Sequence, residues 1–247
     1  MRKGYLRLIT VISIFLVVGL MSQSLLAAER PLRTSWSWPT YIDPSVGSDN
    51  SSSTALINLY DTLVYPDKDG NPTPHVAVSW KSENNGKRWV FNLRKGIKFH
   101  DGAELTAKDV KFSMDRLQTI GEGYAFLFTG KGLSTEVVDR YTVAFNFERA
   151  FGPFITTLYR FFILNEKLVM TNIKTPGPYK KKGDYGKKFL LINDAGSGPY
   201  KVKKFKFEEY LNMEVNSDYF LPIDPQAPDE YKMIGTTQAV TVRSMMS

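Results

Sequence analysis

The chain has 247 residues, 43% hydrophobic and 23% charged, with a formal net charge of +7 and no cysteine. The absence of cysteine excludes a disulfide framework, Cys-ligated zinc, an iron–sulfur cluster and anchoring through a lipoprotein cysteine. The composition is that of a globular protein, not a disordered one.

In chain order, Arg2, Lys3 and Arg7 precede an apolar run from Leu8 to Met21, and the segment Ser22 to Ala28 is rich in small residues. This layout predicts a secretory signal peptide over residues 1–28. The run falls short of the roughly 20 apolar residues that a spanning helix needs. Cleavage after Ala28 removes three basic and no acidic residues, which lowers the charge from +7 to +4. So weak an excess does not point to nucleic acid as a partner. The expected location is the periplasm, for an exported protein that is not a lipoprotein.

Leu32 to Trp36 reads as a strand entering the loop Trp36-Ser37-Trp38-Pro39. Ser52 to Leu63 reads as a helix with Leu56, Leu59, Tyr60 and Leu63 on one face. Val64 and Tyr65 are strand-like, and Pro66-Asp67-Lys68-Asp69-Gly70 is turn chemistry. Asn85-Gly86 predicts a hairpin between Val76–Trp80 and Trp89–Leu93, where residues alternate at period two. Phe99-His100-Asp101-Gly102 is a tight turn in which His100 is expected to hydrogen-bond locally. Thr106 and Asp109 form a capping box that opens a helix with Val110, Met114 and Leu117 as its buried stripe and Phe112 off that spacing. Val137 to Phe147 reads as a strand, and Pro153 opens a short helix through Leu158. Asn172 to Gly186, with the run Lys180-Lys181-Lys182, reads as a solvated, linker-like loop. Tyr200–Phe205 and Tyr210–Val215 pair as a hairpin, and Tyr231–Ile234 is a final strand. The mixture gives α/β or α+β as the class.

Patterns for chemistry are weak. His75 and His100 stand 25 residues apart without His-x-x-Glu or an Asp-rich loop, so no metal site is expected. Gly196-Ser197-Gly198-Pro199 is not a nucleophile elbow. Gly121-Glu122-Gly123 lacks the third glycine of a nucleotide loop. Lys201 to Phe207 interleaves lysine with phenylalanine as an RNA-binding strand would, but on a hairpin it is read as the wet side of a sheet. Trp80, Trp89, Phe91 and His100 are read as scaffold.

The block from Ala77-x-Ser79-Trp80-Lys81 through Trp89-x-Phe91-x-Leu93-Arg94-Lys95-Gly96 and Phe99-His100-Asp101-Gly102 to Ser113 resembles the signature of family 5 extracellular solute-binding proteins. These are the peptide, oligopeptide and nickel receptors of ABC importers. Further landmarks fall in the family's order: Asp43-Pro44, Leu59 to Val64, Pro153-Phe154, Gly196 to Tyr200, and Asn216-x-Asp218-Tyr219-Phe220. The resemblance implies an α/β fold, a mixed sheet with flanking helices, like type II periplasmic binding proteins. Family members are about twice as long and close two lobes on a ligand. Residues 29–247 are therefore expected to form the first lobe only, with the second lobe missing and an exposed apolar face where it would pack.

The function so implied is capture of di- or oligopeptides and delivery to an inner-membrane permease, without catalysis. The alternatives are a nickel chelate or another small solute as cargo, a truncated product that binds nothing, and a secreted enzyme. No cofactor, resident metal or nucleic-acid partner is implied, and the full-length form is expected to be monomeric. By resemblance, ligand contacts come from three places. They are the loop after the first strand (Ser35, Trp36, Ser37, Trp38), the loop after the capped helix (Gly123, Tyr124, Ala125, Phe126) and the segment after Pro153-Phe154 (Tyr159, Arg160). Arg160 is placed to pair with a ligand carboxylate.

Overall fold

A computed structural model of the chain describes residues 31–35 and 38–235. The predicted signal peptide and Trp36 lie outside the described residues.

The elements in order are β1 (Pro31–Ser35), α1 (Asn50–Leu59), β2 (Val64–Pro66), β3 (Pro72–Pro74), β4 (Ala77–Glu83), β5 (Arg88–Leu93) and α2 (Ala107–Ile120). Then follow β6 (Ser134–Asp139), β7 (Thr142–Asn146), α3 (Phe154–Thr157), α4 (Glu166–Thr171), β8 (Tyr200–Lys206), β9 (Tyr210–Val215) and β10 (Glu230–Ile234). One four-stranded sheet runs β1-β10-β9-β8, another runs β4-β5-β7-β6, and β2 and β3 form a ribbon. The first is mixed, because β1 joins β10 in parallel while β10, β9 and β8 are antiparallel. The mixed α/β class is thus observed.

The second sheet faces one hydrophobic core. Phe91 of β5 meets Phe145 of β7 edge-to-face with ring centroids 5.6 Å apart, and Phe145 meets Phe154 of α3 at 5.1 Å. All three rings are fully buried, and truncating any one to alanine costs roughly 3–5 kcal/mol. Phe154 therefore belongs to the packing. Trp80 stacks on Phe91 at 6.3 Å and Trp89 tilts against Phe154 at 6.2 Å, which agrees with the scaffold reading of both.

Helix α2 starts as the capping box predicts: Asp109 Oδ2 accepts from the backbone N–H and the hydroxyl of Thr106, both at 2.9 Å. The same carboxylate accepts from Glu166 N at 3.0 Å, so it also fixes the start of α4. Val110, Met114 and Leu117 enter the first core, while Phe112 and Ile120 enter a second core around α1 and the mixed sheet. The residue off the predicted spacing marks a second buried face.

Three predicted elements differ. The strand expected over Val137–Phe147 is two strands, because Asp139 Oδ1 accepts from Tyr141 N at 2.7 Å and turns the chain back. Helix α1 stops at Leu59, not Leu63. Its terminal carbonyls are met by the loop at Gly196–Gly198, where Gly198 N donates to Leu59 O at 3.1 Å. A Cβ at Gly196 would lie 1.9 Å from Leu59 O and one at Gly198 2.4 Å from Asn58 O, so only glycine lets the backbones approach this closely. Finally, the linker-like segment 172–186 is anchored, with Tyr185 only 1% exposed. Within it Lys180 and Lys181 are solvated, as read from sequence.

Candidate functional site

Strands β1 and β10 are parallel, with Ser35 level with Ile234 at their carboxyl ends, and α1 begins at Asn50. In sheets with parallel strands, ligand crevices form beyond these ends, near helix N-termini. A recess lined by Thr34, Asn50, Ser51, Thr54, Tyr231 and Met233 lies between these strands and the start of α1.

The loop from β1 to α1 is fixed from below. Arg116 of α2 is 0% exposed, and its Nη1 and Nη2 donate to the two carboxylate oxygens of Asp43, each at 2.6 Å. Its Nε donates to Tyr185 O at 2.8 Å, and Asp43 Oδ1 also accepts from Ser45 N at 3.0 Å. Such a bidentate pair holds both partners in one geometry. At the next residues Gly123, with φ +55°, brings the loop after α2 against the backbone of Ser45 and Val46, a Cβ there lying 3.1 Å from Ser45 C. Tyr60, fully buried nearby, donates to Ile42 O at 3.0 Å. Burial, with the Asp194 and Asp43 carboxylates, pushes its phenol well above the ordinary range.

On this base sits a cluster of exposed and half-buried groups. Tyr124 Oη and Ser53 Oγ of α1 are 2.6 Å apart, and Tyr124 Oη lies 3.4 Å from Ser48 O. A relay in which Ser53 donates to Tyr124 and Tyr124 donates to Ser48 O satisfies both hydroxyls. The Arg160 guanidinium lies over the Tyr124 ring, 5.4 Å from its centroid. Phe126 stands 6.3 Å from the same ring and is 67% exposed. A solvent-facing guanidinium over one aromatic ring can take a carboxylate through two N–H groups, and the Tyr124 and Phe126 rings can take an apolar side chain.

The structure thus brings together Tyr124, Phe126 and Arg160 of the residues named from sequence. Tyr159 turns the other way: its hydroxyl donates to Gly70 O at 3.0 Å, at the β2–β3 ribbon. Burial, then the Asp67 charge, raises its pKa. Trp38 packs edge-on against Phe207 at 4.6 Å and against Phe205 at 6.2 Å, over the β8–β9 hairpin.

Sequence reading missed Ser53 and the Asp43–Arg116 pair. A signal for Arg116 existed, since it falls at i+4 from Phe112 and i−4 from Ile120, in the middle of an apolar row.

A second polar group lies deeper. Asp61, 2% exposed, is bonded through Oδ1 to His75 Nε2 at 2.8 Å and Tyr219 Oη at 3.0 Å, and through Oδ2 to Ser197 Oγ at 2.7 Å. Ser197 and His75 thus bond opposite oxygens of one carboxylate, whereas nucleophilic catalysis needs the base on the hydroxyl itself. Burial, then Asp61, raises the Tyr219 phenol strongly. His100 is likewise no local turn bonder: its Nδ1 lies 2.5 Å from Asp194 Oδ1 and its Nε2 3.0 Å from Gly198 O. Both histidines clamp the 194–198 loop, directly or through Asp61. Among the described residues no group of three or more His, Asp or Glu is placed to hold a metal ion, and no helix is long and apolar enough to cross a membrane.

Residues 71–245 match the family described as bacterial extracellular solute-binding proteins, family 5 middle. Over 187 residues the chain is 34% identical to the probable D,D-dipeptide-binding periplasmic protein of Escherichia coli K12, which covers 73% of this chain and 34% of that one. It is 30% identical over 188 residues to an oligopeptide-binding protein of Bacillus subtilis 168, covering 74% and 33%. A dipeptide binding protein of Pseudoalteromonas sp. SM9913, solved with Met-Leu, superposes with a TM-score of 0.74 at 21% identity over 88% of this chain and 45% of that one, a likeness of fold. The chain spans about a third of the length of the curated relatives it matches.

Proposed function

The chain belongs to the family 5 bacterial extracellular solute-binding proteins, and on that premise we propose that residues 29–247 form one wall of an exported peptide receptor serving an ABC importer. The observation that carries this reading is the cluster of Arg160, Tyr124 and Phe126 on a base locked by Asp43 and Arg116. The relatives named as D,D-dipeptide- and oligopeptide-binding proteins support a peptide as cargo. Arg160 takes a peptide carboxylate, and Tyr124 and Phe126 face an apolar side chain. The wall performs no chemistry. A ligand that touches two walls favours the closed state, and closure is what a membrane permease reads.

The test is titration of the chain with L-Ala-L-Ala, D-Ala-D-Ala and a nonapeptide, followed by thermal shift and calorimetry. With one wall, binding is weak, in the millimolar range, and Arg160→Ala or Phe126→Ala removes it without lowering the melting temperature. Submicromolar affinity in this chain alone, or binding indifferent to both substitutions, overturns the reading.

A further inference from the structure

Residues 174–188 carry six lysines, Lys174, Lys180, Lys181, Lys182, Lys187 and Lys188, against one acid, Asp184. The backbone folds them into a small area. Asp184 N donates to Lys174 O at 2.8 Å, and Tyr179 N donates to Gly183 O at 3.0 Å. The Asp184 carboxylate is turned into the loop, where it accepts from the N–H groups of Lys174, Gly186 and Lys188 at 2.8, 3.0 and 3.1 Å. Tyr185 roots the loop in the second core, and its carbonyl is held by Arg116. The loop is therefore a fixed platform, not a linker.

Two of the lysines are engaged: Lys187 pairs with Glu122 at 2.6 Å, and Lys182 donates to Tyr185 Oη at 2.8 Å. Lys174, Lys180, Lys181 and Lys188 are exposed and form no ion pair among the described residues. The other lysine-rich surface, on the mixed sheet, differs. There Lys201 pairs with Glu214, Lys203 with Glu230 and Lys206 with Glu209. Immediately after Lys188 the chain buries Leu190 but leaves Leu191 37% and Ile192 49% exposed. Ile192 N and Asn193 N both turn back to Phe189 O, so this exposed aliphatic pair sits in a tight turn directly after Lys188.

We propose that residues 174–192 are a docking surface for an anionic phospholipid membrane. Four exposed ammonium groups, without an ion pair among the described residues, match lipid phosphates, and two solvent-facing aliphatic side chains match the boundary of the acyl region. An acidic polypeptide would use the charges and leave Leu191 and Ile192 without a role. The inference does not rest on the peptide reading, since the exposed lysines, Leu191 and Ile192 are not members of the Arg160 cluster.

The experiment is amine acetylation of the full chain, read lysine by lysine by mass spectrometry, with vesicles of mixed phosphatidylcholine and phosphatidylglycerol, with pure phosphatidylcholine vesicles, and with polyglutamate. The apolar run Leu8–Met21 is common to every variant, and the readout is local to each lysine. On anionic vesicles Lys180, Lys181 and Lys188 label at least about threefold more slowly, while Lys68 and Lys87 do not change. Salt at about 0.5 M abolishes the protection. Leu191→Ser with Ile192→Ser weakens it on vesicles, and Lys180→Gln with Lys181→Gln lowers vesicle partitioning by roughly fivefold per charge. Equal labelling with and without anionic vesicles overturns the proposal. So does protection by polyglutamate that matches the vesicles and ignores the Leu191 and Ile192 changes.

Discussion

His100 and Asp194 face each other at 2.5 Å, 94 residues apart in sequence, and the second ring nitrogen of His100 points at Gly198 O. A carboxylate and a carbonyl only accept, so both contacts are filled only when the ring carries both protons. Burial works against that charge, but the hydrogen bond and charge of Asp194, helped by Gly198 O, outweigh it and raise the His100 pKa. A raised folded-state pKa means that the stabilisation is complete below the unfolded value of about 6.5 and is lost as pH rises through the folded value. The melting temperature of the wild type is therefore expected to fall as pH rises above about 6.5. The measurement is a melting series across that rise for wild type and His100→Gln. Parallel curves for the two proteins refute the assignment.

Arg116 and Asp43 form an ion pair with no exposure on the arginine side. Removing one member strands a buried charge, which costs roughly 3–5 kcal/mol, while replacing both by apolar groups of similar volume is far milder. Arg116→Met is expected to destabilise strongly in urea unfolding, and Arg116→Met with Asp43→Leu to recover much of the loss. Additive losses in the double variant count against the pair as a locked base.

Most of the strands and the presence of both long helices were legible because their signals are local: alternation in Trp89–Leu93, Asn85-Gly86 at the hairpin, and the Thr106–Asp109 box. The resemblance block was equally plain. What stayed hidden depends on partners far along the chain. Val143, Phe145 and Phe147 alternate correctly, yet nothing in that alternation reveals the turn at Arg140 and Tyr141 that splits the segment. Helix α1 ends where a loop 136 residues away from Asp61, at Ser197, packs beneath it. Of the site, Tyr124, Phe126 and Arg160 were named from family order, but their meeting through Ser53 and one ring face is a tertiary fact. Trp38, named on the same grounds, packs against Phe205 and Phe207 instead.

Gly198 and Gly70 are expected to respond differently to alanine. At Gly198 a Cβ would meet Asn58 O at 2.4 Å and Leu59 C at 2.6 Å, both backbone atoms that cannot step aside. Gly70 has φ +83° with nothing within 4 Å of its Cβ position, so alanine there carries only the conformational cost. The expected losses are several kcal/mol for Gly198→Ala and about 1 kcal/mol for Gly70→Ala. Chemical denaturation of the two variants side by side checks the order, and equal losses disprove the close-approach account.

Tyr124 is held from one side by Ser53 and carries Arg160 on its ring. The two contacts use different parts of the side chain, the hydroxyl and the π-face. Tyr124→Phe keeps the face and removes the hydroxyl, so it is expected to lose roughly 1 kcal/mol of stability while leaving Arg160 stacked. Tyr124→Ala removes the face as well and frees the guanidinium. In the proposed receptor, peptide binding therefore survives Tyr124→Phe in weakened form and disappears in Tyr124→Ala. Ser53→Ala should resemble Tyr124→Phe, and the double change should cost little more than either alone, since both delete the same hydrogen bond. Calorimetric titration with Ala-Ala together with urea melts of the wild type and the four variants measures both effects. Strictly additive losses for Ser53→Ala and Tyr124→Phe would show that the relay does not orient the ring.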